Sequence, residues 1–157
     1  MADPFSIIAG SIGVADVCVR LVHNIHTLRK NLASIDEGLD GLAEEIDDLR
    51  EICATVEATY TVQSKDGSAP DANTVVDEAK GLWIRLEKTL RNCDSIVAKL
   101  GGIVAKIRGA SALPGPTKFD AVGKVMRKKL YESDLRNCRA QLKTYQDALH
   151  LILATIN

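Results

Sequence analysis

Apolar residues recur along most of the chain in alternating steps of three and four. Between residues 35 and 60 they fall at Ile35, Leu39, Leu42, Ile46, Leu49, Cys53, Val56 and Tyr60. That spacing keeps one stripe of an α-helix turned toward a neighbour for more than three heptads. The other face carries Glu44, Glu45, Asp47, Asp48 and Glu51. The same stepping returns at Val76, Ala79, Trp83, Leu86, Leu90, Cys93, Val97 and Leu100. It returns again at Tyr131, Leu135, Cys138, Leu142, Tyr145, Leu149, Ile152 and Ile156. No stretch alternates with the period of two that a half-buried strand requires. The pattern predicts helices over 35–60, 74–100 and 119–156.

The first thirty residues behave differently. From Pro4 to Val19 the only charge is Asp16, among Phe5, Ile7, Ile8, Ile12, Val14, Val17, Cys18 and Val19, with Ala9, Gly10, Ser11, Gly13 and Ala15 between them. Asp3 suits the cap and Pro4 the first turn of a helix over 4–30. Apolar residues cover nearly its whole circumference, the pattern of a helix buried on every side, so it is expected as the central or inserted member. Ser34 and Glu37 form a capping box for the second helix. Residues 61–73 and 109–118 read as loops, with Gly67, Pro70, Pro114 and Pro116 as breakers. Gly101 and Gly102 are expected to end the third helix. The expectation is a single all-α domain over 1–157, an antiparallel four-helix bundle around the apolar N-terminal helix, with room for a short extra helix over 103–108.

Composition agrees. The 157 residues are 46% hydrophobic and 26% charged, but aromatics make up 4%, which favours helix-on-helix packing. The formal net charge of −1 conceals an asymmetry. Residues 1–78 hold five Lys or Arg against fifteen Asp or Glu, and residues 79–157 hold fifteen against six. The two halves should attract, though solvent screens such surface attraction. Cys18, Cys53, Cys93 and Cys138 lie far apart with no CxxC pair and are expected as buried, reduced thiols. The opening run has Asp3 where a secretory signal has basic residues, and Asp16 and Arg20 break it short of a permanent span. The chain is expected to be cytoplasmic at rest.

Catalytic signatures are missing from the sequence. There is no GxxxxGK[ST] or GxGxxG phosphate loop, no HExxH and no ExxH pair. His23 and His26 lie three apart on one helical face without a third ligand at compatible spacing. The acidic residues of the second helix read as a solvated face. An enzyme, a metal centre and a bound cofactor are therefore not expected. Lys118, Lys124, Arg127, Lys128 and Lys129 form a basic patch that Arg136, Arg139 and Lys143 extend. No aromatics interleave for base stacking, and the pI is near 6.3, so no nucleic-acid partner is expected. The patch suits anionic lipid headgroups, at about 1 kcal/mol per basic residue, or equally a solvated face complementing the acidic second helix.

The opening residues, Asp3, Pro4, Phe5, Ile7, Ile8, Ala9, Gly10, Ile12, Gly13, Val14 and Ala15, resemble the start of HeLo and HeLo-like domains of fungal NLR-type (STAND) proteins and their partners. The layout of long helices downstream resembles theirs too. The resemblance implies a helical bundle that executes cell death in fungal incompatibility and innate immunity. Such a domain is inactive in the cytosol until an NLR or an amyloid-motif activator clusters it. It then homo-oligomerises, moves to the plasma membrane and permeabilises it. On that reading Phe5, Ile7, Ile8, Gly10, Ile12, Gly13, Val14 and Val17 would insert, while Lys124, Arg127, Lys128 and Lys129 would meet anionic headgroups. Small residues such as Ala9 and Gly13, four apart, would allow close helix approach in a membrane oligomer. The alternative is a non-enzymatic helical adaptor that associates with a partner protein and never enters lipid.

Overall fold

The computed structural model describes residues 4–30, 37–65, 75–109 and 118–156, with side chains over 7–30, 39–61, 81–109 and 126–156. These residues form four helices and no strand: α1 (Pro4–Lys30), α2 (Glu37–Lys65), α3 (Val75–Arg108) and α4 (Lys118–Ile156). Asp3, Ser34, most of the two expected loops, and the side chains of Phe5, Val76, Ala79, Lys118 and Lys124 lie outside what is described.

The three heptad stripes become the core. Leu39, Leu42, Ile46, Leu49, Cys53 and Val56 of α2 are buried, as are Leu86, Leu90, Cys93, Val97 and Leu100 of α3. In α4, Leu135, Cys138, Leu142, Leu149 and Ile152 are buried, with Tyr131, Tyr145 and Ile156 packed against them. All four cysteines are free and buried. At the far end of α2, Tyr60 meets Trp83 of α3 edge to face, with ring centroids 4.7 Å apart.

α1 packs against α2 and α3, and α3 packs against α4, while α2 meets α4 most thinly. α1 and α2 therefore make one hairpin, pinned near its turn by Arg29 and Asp40 at 2.7 Å. α3 and α4 make the other.

Two expectations change. Gly101 and Gly102 do not end α3, and residues 103–108 are not a separate helix. The helix runs through both glycines because Ile103, Val104 and Ile107 continue its buried stripe, and that burial outweighs the cost of about 1 kcal/mol per helical glycine. The stop comes at Gly109, whose φ of +75° is the left-handed conformation that glycine adopts freely. Its amide donates to the Ala105 carbonyl at 3.1 Å.

Secondly, α1 is not enclosed. It buries one stripe, Ile7, Ser11, Val14, Cys18, Leu21, Ile25 and Leu28, whose steps of four and three match those of the other helices. Ala15, Val17 and Val22 are half-buried against the core beside it, while Ile12 and Val19 face outward. α1 packs against both α2 and α3, yet two of its large apolar residues lie on the face that neither neighbour covers.

Candidate functional site

The residues expected to insert divide by face. Ile7 and Val14 are in the core, and Val17 is half-buried against it. Ile8 and Gly10 are half-buried. Ile12 is 49% exposed, and Gly13 is exposed beside it. Phe5 is in the helical backbone, but its side chain lies outside the described residues.

Ser11 is the one polar residue of the buried stripe. Its hydroxyl donates to the Ile8 carbonyl at 2.9 Å, so it needs no partner from another helix. Asp16 and Arg20, the two charges inside the apolar run, pair with each other one turn apart.

A groove of about 340 Å³ lies between α1 and α3, lined by Ala9, Gly10, Gly13, Glu87, Arg91 and Asp94, among others. A methyl group placed on Gly10 or Gly13 would meet nothing within 4 Å. Neither glycine has a positive φ; Gly109 alone does among the described residues. The two glycines are therefore not explained by tight packing in this bundle, nor by backbone conformation, although each weakens the helix by up to about 1 kcal/mol relative to alanine.

The basic residues of α4 are placed unequally. Arg127 is turned inward: its Nε donates to the Ile107 carbonyl at 2.9 Å and its Nη2 to that of Arg108 at 3.4 Å. It thus meets carbonyls at the end of α3 that lack partners inside the helix. A Cβ at residue 109 would come within 2.7 Å of Arg127 Nη2, so glycine serves both the turn and the close approach. Lys128 is half-buried beside α2, and Lys129 is exposed.

The seam between α2 and α4 is where the opposite charges of the two halves meet. Arg139 forks onto Glu45, with Nε to Oε2 at 3.0 Å and Nη2 to Oε1 at 2.8 Å. Gln146 Nε2 donates to the Glu45 carbonyl at 2.6 Å. Open grooves of about 460 and 430 Å³ flank this junction. The attraction legible in the charge asymmetry thus acts along the thinnest interface.

Burial pushes the thiols of Cys18, Cys53 and Cys93 up to about 12, and each lies close enough to another of the three to raise it further or be felt by it. Burial also raises Cys138, by an amount that Lys99 reduces. These thiols are poor nucleophiles in the resting bundle. His23, His26 and His150 are exposed, and no group of His, Cys, Asp or Glu among the described residues is arranged to hold a metal ion.

Sequence reasoning missed the capping role of Arg127 and the clasp between Glu45 and Arg139. No spacing rule joins residues about twenty or ninety positions apart. The α1 stripe, in contrast, could have been found from its 4,3 stepping had Ser11 been admitted as an inward position. Comparison with protein-family models, with curated proteins and with solved structures finds no match for this chain, so the likeness to HeLo-like domains rests on the opening residues and the helix layout.

Proposed function

We propose that this chain is a membrane-permeabilising cell-death domain, activated when a receptor or an amyloid-motif protein clusters it, with α1 as the inserting element. One observation carries the reading. Contrary to the expectation that Asp16 and Arg20 break the run short of a span, by length and composition Ile7–Lys30 is apolar enough to cross a membrane, with mean hydropathy 1.3, and 28% of its apolar window is buried in the bundle. A core helix of equal hydropathy is mostly covered by its neighbours. Here Ile12 and Val19 are exposed with no protein partner over them, and lipid is a medium that suits them.

The resting state has to hold α1 back. Ile7, Val14, Leu21, Ile25 and Leu28 are each at most 2% exposed. At about 1.5–3 kcal/mol per buried side chain, α1 is held by something on the order of 10 kcal/mol, comparable with the stability of a whole domain. Release therefore needs a receiving phase, either bilayer or other copies, and clustering at the plasma membrane brings both. The chain would be cytoplasmic until then.

A second reading, a helical adaptor that stays in water, gains from Arg127. That residue is engaged at the end of α3 and is unsuited to a headgroup role while the bundle is closed. Dye release from vesicles separates the two. The inserting domain leaks anionic vesicles in a dose-dependent way and labels at Cys18 as it does so. The adaptor leaves vesicles sealed at every dose and does not sediment with them.

A further inference from the structure

The outward face of α4 carries a second stripe that the bundle does not use. Met126, Leu130, Ser133, Asn137, Ala140, Thr144, Leu151 and Thr155 are all exposed and follow helical spacing down the side opposite the core. None is charged. Met126, Leu130 and Leu151 are among the most exposed large apolar residues of the chain, at 68%, 73% and 69%. The hydroxyls of Thr144 and Thr155 turn back onto their own helix, donating to the carbonyls of Ala140 at 3.0 Å and Leu151 at 2.8 Å. Covering these two threonines therefore strands neither hydroxyl.

The stripe has a particular shape: large apolar residues toward both ends, small ones in the middle. We propose that it is the face through which two copies of this chain pair, α4 against α4, antiparallel, about a two-fold axis between Ala140 and Gln141. In that register Leu130 of one copy lies opposite Leu151 of the other, Asn137 opposite Thr144, and Met126 opposite Thr155. Ala140 lies nearly opposite itself, where a small side chain lets two helices approach to about 8–10 Å. A two-fold interface must be self-complementary, and this stripe maps onto itself when reversed.

The charges beside it agree. Arg136 and Asp147 border the same edge of the stripe, and the reversal sets each against the other in the second copy. Lys143, Glu132 and Arg139 lie further round, where with Arg136 they line the α2–α4 seam. From residue 126 to 155 the stripe is about 44 Å long and one helix wide, about 10 Å. Two such faces cover roughly 900 Å², below the roughly 1,000 Å² that a stable specific interface needs, so the dimer is a weak one, reversible and concentration-dependent. The proposal is independent of whether the bundle enters membranes.

Sedimentation equilibrium of the intact chain tests it, with circular dichroism to confirm folding. A monomer–dimer equilibrium is expected, weakened about thirtyfold or more by Leu130→Asp and, separately, by Leu151→Asp; at these exposures neither should disturb the bundle. Arg136→Asp and Asp147→Arg should each weaken dimerisation, and the two together should restore it. Ala140→Cys should give a covalent dimer on mild oxidation, because the native thiols are buried, whereas Ser95→Cys on the exposed side of α3 should not. A chain that stays monomeric up to about millimolar concentration overturns the proposal. So does a dimer indifferent to both leucine substitutions, or one that Ala140→Cys fails to cross-link.

Discussion

Ile12→Asp separates insertion from folding more cleanly than any other change in α1. Ile12 is 49% exposed, so an aspartate there forfeits half of an isoleucine's burial, about 1 kcal/mol, and leaves the buried stripe intact. In the middle of a membrane helix the same change exchanges a residue favourable by about 0.5 kcal/mol for one unfavourable by about 3 kcal/mol. Net of the cost already borne in the resting bundle, the difference is about 2–3 kcal/mol per copy, which lowers the inserted population roughly thirtyfold to one hundred and fiftyfold. The assay is dye release from anionic vesicles across a range of protein doses, beside a thermal melt of the same preparation. The expected result is a melt within a few degrees of the wild type and a dose curve shifted by at least about thirtyfold. A folded Ile12→Asp protein that leaks vesicles like the wild type would falsify the role given to α1. Val14→Asp or removal of residues 2–20 is less informative, since Val14 is 2% exposed and loss of the stripe unfolds the bundle for reasons unrelated to lipid.

Four further outcomes follow from the geometry. Gly10→Ala and Gly13→Ala meet open space and should each raise stability by up to about 1 kcal/mol, or about 2–4 °C in a melt; on the membrane reading the same variants release α1 more slowly and leak later. The thiols of Cys18, Cys53 and Cys93 are pushed from 9.0 up to about 12. Below pH 9 they are protonated in both folded and unfolded chains, and their contribution is fully present. Between pH 9 and 12 they ionise only when unfolded, so denaturant-measured stability should fall by about 1.4 kcal/mol per pH unit for each thiol and should fall less steeply in Cys53→Ala. Arg127→Met removes the donors at the end of α3 and should cost about 1–2 kcal/mol. Gly109→Ala strains a backbone at φ +75° and crowds Arg127, so its destabilisation, read as a melt shift, should fall when Arg127 is also removed.

The helices were legible because burial imposes periodicity. In α2, α3 and α4 the 3,4 stepping marked positions that the fold buries or, for Tyr60, Trp83, Tyr131, Tyr145 and Ile156, packs half-buried against the core, wherever side chains are described. α1 misled because so many of its residues are apolar that the inward stripe did not stand out, and a polar residue, Ser11, belongs to it. The pair Gly101 and Gly102 misled because a local preference for helix termination was outweighed by Ile103, Val104 and Ile107. What periodicity cannot reveal is the pairing of distant polar groups. Glu45 with Arg139, and Arg127 with the end of α3, follow from how two hairpins lie against each other, and that arrangement has no local signature.

Among the described residues, the polar side chains of α1 bond within α1 itself: Ser11 to Ile8, Thr27 to His23, Asp16 to Arg20. Arg29 with Asp40, next to the turn, is the exception. Separating the helix from its neighbours thus breaks almost no ionic or directional bond, so salt has little grip on the event, whereas micelles, short-chain alcohols and temperature, which act on oily contact, should govern it.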